Sequence, residues 1–113
     1  MPFFEGLVGR FYEGVAGDPL LRRLYPEADL AGARHRLTLF LAQYWGGPTT
    51  YNDERGHPRL RMRHFPFEIG PVERDLWLAH MRDAVAWMDP PPEVAGRLQE
   101  YFDMAAEAMR NRT

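Results

Sequence analysis

The chain of 113 residues has no cysteine, no lysine and no serine. Without cysteine there are no disulfides, no thiolate metal sites and no thiol catalysis. Without serine there is no serine nucleophile, and hydrolase chemistry has little to stand on. All 14 basic residues are arginine; the plain reading is a GC-rich genome with some thermal adaptation. No apolar run approaches the roughly 20 residues that a membrane-spanning helix needs. No signal-peptide pattern leads into the first helical segment, so a soluble, cytoplasmic protein is expected. The formal net charge of −2 does not indicate a nucleic-acid-binding surface. Strand alternation and internal repeats are missing too. Gly46-Gly47-Pro48 follows a helical pattern rather than a strand, so it is not a phosphate loop. Acidic residues are scattered on polar faces with no obvious inward pair.

What is present is helix and aromatic volume. Hydrophobic residues make up 45% of the chain, with seven Phe, five Tyr, three Trp and six Met, ample for one compact core. Phe3, Phe4, Leu7, Val8, Phe11, Tyr12 and Val15 recur at helical spacing and predict a helix over 3–16. Gly17-Asp18-Pro19 ends it, and Leu20 to Tyr25 reads as a short helix stopped by Pro26. Asp29 is the expected N-cap of a helix whose stripe is Leu30, Ala33, Leu37, Phe40, Leu41, Tyr44 and Trp45. Residues 48–58 read as a polar loop. Leu60 to His64 allows one helical turn before Pro66 forbids continuation. Pro71 starts a helix that runs to about Met88, and after Asp89-Pro90-Pro91-Pro92 a last helix carries Val94, Leu98, Tyr101, Phe102, Ala105 and Met109. The expectation is a single all-α domain over residues 1–113.

Four histidines need sorting. His35 lies off the apolar stripe and reads as a solvated surface residue. His57, between Gly56 and Pro58, reads as an exposed loop residue. His80, three residues after Trp77, is more often a satisfied core histidine than a ligand at such spacing. His64 stands apart because it follows Arg59-Leu60-Arg61-Met62-Arg63 and precedes Phe65-Pro66-Phe67. Neutral imidazole is a common metal ligand, yet no second histidine stands at the spacing of an all-protein zinc site. A single protein ligand suffices only for a metal already held, as iron is in haem. Residue types alone leave His64 open between that role and an ordinary turn histidine. Tyr12, Tyr25 and Trp77 are apolar-facing aromatics with polar handles, which normally find a partner when buried. Taken singly, backbone carbonyls are the commoner partner, and periodicity does not show whether the three converge.

In this order and spacing, a set of short motifs is specific. They are Arg10-Phe11-Tyr12, Leu21-Arg22-Arg23-Leu24-Tyr25-Pro26, Asp29-Leu30-Ala31-Gly32-Ala33 and Phe40-Leu41-Ala42-Gln43-Tyr44-Trp45-Gly46-Gly47-Pro48. Gly56-His57-Pro58 through His64, and Glu73-Arg74-Asp75-Leu76-Trp77, complete the set. Together they resemble the truncated haemoglobins, in particular the group II (O-type) branch, over nearly the whole chain. The sequence departs from the family's pattern at Met1-Pro2-Phe3-Phe4, ahead of which the family usually has a short segment with a Gly-rich turn; the departure bears on the family's usual first helix and any subunit contacts it makes. The retained Gly46-Gly47 pair implies a complete haem pocket.

The resemblance implies a two-over-two helical sandwich around haem b. His64 matches the histidine that binds iron. Tyr12, Tyr25 and Trp77 match the three polar aromatics on the opposite, distal side, with Trp77 the mark of the branch. Ala33 matches the position where many globins place a distal histidine. Leu37 and Phe40 match apolar distal and haem-packing positions, and Leu60 and Phe67 fall among the residues that line the cofactor. Arg36 and Arg63 match basic positions near the propionates. His80 matches no haem ligand. The implied function is reversible binding of oxygen and other diatomic ligands at a five-coordinate iron. The alternative is a redox enzyme that uses bound oxygen or peroxide, by nitric oxide dioxygenation or peroxidase-like turnover. A reductase and self-association are the partners the family implies, whereas a haem-free helical interaction module fits the pocket pattern poorly.

Overall fold

The computed structural model describes residues 2–25, 30–47, 50–55 and 68–111. Six helices account for most of them: α1 (Pro2–Ala16), α2 (Pro19–Arg22), α3 (Ala31–Tyr44), α4 (Thr50–Arg55), α5 (Pro71–Met88) and α6 (Pro92–Met109). The described residues contain no strand. None of their helices is long and apolar enough to cross a membrane.

α1 is the central element. Leu7, Val8, Phe11 and Val15 are completely buried, and all lie on the stripe read from the sequence. They belong to the common core, and α1 packs on α5, which runs antiparallel to it. Met88 Sδ approaches Gly6 near one end and the His80 ring approaches Gly14 near the other. Between them the Arg10 guanidinium meets Asp83 at 2.9 Å. α1 also packs on α3, and α5 on α6, so a pair formed by α1 and α3 lies over a pair formed by α5 and α6.

The second pair is set by proline and glycine chemistry. Pro71 occupies the first turn of α5, where its missing N–H has no intrahelical partner to lose. Glu73 reaches back to the Gly70 N–H at 2.8 Å, which satisfies one of the orphan donors of the first turn. Asp89 ends α5 in the left-handed conformation (φ 50°), and Pro91 and Pro92 turn the chain directly into α6. Across the far ends, Arg74 pairs with Glu107 at 2.7 Å, and Ile69 and Asn111 exchange hydrogen bonds of 2.8 and 2.9 Å.

Two local expectations change. Part of the segment read as a loop is α4. Tyr51, only 5% exposed, stacks on Phe40 with centroids 5.5 Å apart. Gln43 holds Asn52 through two hydrogen bonds of 3.1 Å. Contacts with α3 therefore hold a polar helix of six residues that has no apolar stripe of its own. At the start of α3 the N-cap is Leu30, without a side-chain cap bond; Asp29 lies outside the described residues. Gly46 (φ +87°) ends α3 in a conformation that glycine adopts without steric cost.

Candidate functional site

α1, α2 and α5 bring the three polar aromatics into one connected cluster. Tyr12, on α1, is 5% exposed. Its ring meets Tyr25 edge to face, with centroids 5.5 Å apart. Phe11 stands beside Tyr12 at 4.9 Å and beside Trp77 at 5.2 Å. Trp77 then packs against Phe102 of α6 at 5.8 Å. Such aromatic pairs each contribute about 0.5–1.5 kcal/mol beyond their buried area. Phe11, completely buried, is the hinge of the cluster: it holds Tyr12 on one side and Trp77 on the other.

Trp77 is half-buried, and its Nε1–H donates to no group among the described residues. Indole nitrogen is a donor only. Among the described residues that donor therefore stays available to a group bound beside the cluster.

Tyr25 follows α2, and its placement is over-determined. Its backbone N–H bonds to the Arg22 carbonyl at 3.1 Å, and Arg22 Nη1 donates to the Tyr25 carbonyl at 2.9 Å. α2 begins at Asp18, whose side chain accepts from the Leu20 N–H. The other oxygen of that carboxylate accepts from His80 Nε2 at 2.9 Å. This pairing holds the Asp18 carboxyl below its ordinary range, the hydrogen bond to His80 being the main cause and burial opposing it.

α3 supplies a different surface. Ala33, Arg36, Leu37 and Phe40 are spaced to share one helix face. Ala33 is buried, while Leu37 and Phe40 pack on the core and remain half-exposed. Arg36 is half-buried on the same face. Apolar surface left uncovered beside a cation suits a flat apolar group that carries carboxylates, and the haem macrocycle with its propionates is such a group. The residues present fit it.

His64, Leu60, Arg63 and Phe67 lie outside the described residues, as does His57. His35 is exposed, as expected, and pairs with Glu54 at 3.1 Å. His80 is a satisfied, mostly covered histidine. No cluster of three or more His, Asp or Glu that could hold a metal occurs among the described residues. The residues to which sequence reasoning gave no role in the site are Asp18, Phe11 and Glu73. Asp18 before Pro19 carries a cap signal, but nothing local links it to a histidine 62 positions away.

An all-α pair-over-pair architecture with a connected aromatic cluster and an apolar, arginine-bearing helix face suits a truncated globin. The bacterial-like globin family model matches residues 1–111. A group 2 truncated haemoglobin of Bacillus subtilis, YjbI, is 41% identical over 107 residues, covering 95% of this chain and 80% of that protein. A thermostable haemoglobin from Thermobifida fusca superposes with a TM-score of 0.96 at 59% identity, covering 97% of this chain and 89% of that one. An oxygen-avid truncated haemoglobin from Bacillus subtilis superposes with a TM-score of 0.90 at 40% identity, covering 96% and 91%. The chain spans about half the length of the plant relatives it matches. It belongs to the bacterial-like globins, and within them to the group II truncated haemoglobins. As a member it is a haem globin that binds oxygen or related diatomic ligands.

Proposed function

We propose that the chain holds haem b through His64 as the one protein ligand to iron, and binds oxygen reversibly on the side faced by Trp77, Tyr12 and Tyr25. When bound, the haem supplies an iron whose sixth position takes a diatomic ligand. The observation that carries the reading is the Trp77 Nε1–H, which finds no acceptor among the described residues although its ring is packed between Phe11 and Phe102. A donor-only group in that setting favours a ligand that carries partial negative charge. A hydrogen bond to such an acceptor contributes on the order of 1.5–3 kcal/mol. The Tyr12 and Tyr25 hydroxyls can donate or accept, so they can hold the ligand from a second direction or fix its orientation through one another.

The remaining residues divide the other tasks. Ala33 leaves room where a longer side chain would obstruct or ligate the iron. Leu37, Phe40, Leu60 and Phe67 exclude water from the cofactor, and Arg36 and Arg63 pair with its carboxylates. Partly exposed pairs of that kind contribute only ~0–1 kcal/mol each, so the apolar contacts carry most of the retention. Likeness to a haemoglobin described as oxygen-avid supports slow ligand release. The same reading includes a cytoplasmic location and a reductase that keeps the iron ferrous.

Absorption spectra of the purified ferrous protein with and without oxygen test it. A reversible conversion between a five-coordinate ferrous spectrum and an oxygenated one is expected; a protein that takes up no haem, or a six-coordinate spectrum without added ligand, overturns it. Stopped-flow mixing of the oxygenated protein with nitric oxide or peroxide, with a reductase supplied, then separates ligand binding from turnover.

A further inference from the structure

α2 is four residues long, far below the length at which a helix holds itself together. Both of its ends are tied to α5. At the first, Asp18 accepts from the Leu20 N–H through Oδ1 at 3.2 Å and from His80 Nε2 through Oδ2 at 2.9 Å. An ionised carboxylate only accepts, so Nε2 is the donor. Both side chains are largely covered, at 15% exposure for Asp18 and 27% for His80. At the second end, Arg23 lies 3.4 Å from Glu73, whose side chain is also 15% exposed.

The two ties have a shared geometry. Glu73, Trp77 and His80 follow one another at four- and three-residue spacing and so occupy one face of α5. Trp77 therefore stands between the points at which α5 grips α2. The segment being gripped leads into Tyr25, whose carbonyl accepts from Arg22 at 2.9 Å and whose ring meets Tyr12. His80 reaches this position because residue 14 of α1 has no Cβ: one placed there would collide with the imidazole.

We propose that Asp18 and His80 are positioning residues for the distal pocket, their pair fixing α2 on α5 and thereby setting Tyr25 against Tyr12 and Trp77. The inference rests on the reading of Tyr25 and Trp77 as donors to the bound ligand. It assigns no direct ligand contact to either positioning residue. What the pair controls is where a hydroxyl sits.

Three variants of the haem-loaded protein test it: His80→Leu, which deletes the donor; His80→Gln, whose amide can still donate to Asp18; and Asp18→Ser, which keeps an N-cap acceptor for Leu20 but loses the imidazole. The readouts are the oxygen dissociation rate and the iron–carbon stretching band of the carbon monoxide complex, which reports donors around the ligand. His80→Leu and Asp18→Ser are expected to raise the dissociation rate about threefold or more and to shift the band, as a weakened hydrogen bond to ligand does. His80→Gln is expected to stay within about twofold of the parent. If His80→Leu does not retain haem, Asp18→Ser carries the same test. Unchanged rate and band in His80→Leu or Asp18→Ser, or equal effects in His80→Leu and His80→Gln, overturn the proposal. Trp77→Phe is measured alongside: a change there with none in the other variants defeats only the positioning role, and no change anywhere defeats the distal reading itself.

Discussion

The His80 imidazole of α5 lies where a side chain at Gly14 of α1 would begin. Helix propensity favours alanine over glycine by about 1 kcal/mol. At this position that gain is opposed, because a Cβ would meet three ring atoms of His80, and overpacking of this kind costs typically about 1–3 kcal/mol. Gly14→Ala should therefore lower the thermal midpoint. Gly96 on α6 has nothing within 4 Å of an added Cβ, so Gly96→Ala should raise it by about 0.5–1 kcal/mol of stability. Calorimetry on the two single variants checks the opposed signs.

Acid should weaken the grip of α5 on α2. The Asp18 carboxyl is held below its ordinary range by the hydrogen bond from His80. A depressed folded-state value means that the ionised group stabilises the fold above the unfolded-state value, near 3.9. That stabilisation fades as pH falls through the lower folded-state value. Asp18→Asn should accordingly be less stable than the parent at pH 6, and the difference should shrink below about pH 4. Thermal midpoints of both proteins across pH 6 to 3 provide the check.

The helical frame was open to direct reading because its determinants are local. The stripes of α1, α5 and α6, and the punctuation by Gly17, Pro71 and Asp89-Pro90-Pro91-Pro92, are periodicity and backbone chemistry. α4 was not, since Thr50–Arg55 is polar and its helical state depends on Tyr51 stacking on Phe40 and on the Gln43–Asn52 bonds. The site divides the same way. Composition and spacing marked Tyr12, Tyr25 and Trp77 as polar aromatics facing inward, but their convergence through Phe11 is a tertiary fact. Only the family resemblance pointed to that convergence beforehand. The Asp18–His80 pair had no local signal at all, because each residue has an ordinary explanation where it stands: one as a cap, the other as a core histidine.

In the proposed function His64 holds the iron, so its replacement by alanine should abolish normal haem ligation. The ferrous absorption spectrum of His64→Ala should lose its five-coordinate histidine-ligated form, and added imidazole should restore it in part. Arg36→Gln is expected to keep the haem, since a partly exposed propionate pair contributes only ~0–1 kcal/mol. Haem transfer to an apo-globin acceptor measures both effects on one scale. An unaltered spectrum in His64→Ala would sink the assignment.

The account turns on a donor, the Trp77 Nε1–H, that finds no acceptor among the described residues. Trp77→Phe keeps an aromatic ring beside Phe11 and Phe102 and removes the Nε1–H together with part of the indole's volume. The most direct measurement is the oxygen dissociation rate of the haem-loaded parent and this variant, by displacement with carbon monoxide. Loss of a hydrogen bond to a partly charged ligand, about 1.5–3 kcal/mol, corresponds to roughly 10- to 100-fold faster release. A rise of at least several-fold is the predicted result, and an unchanged rate in a variant with normal haem uptake would contradict it.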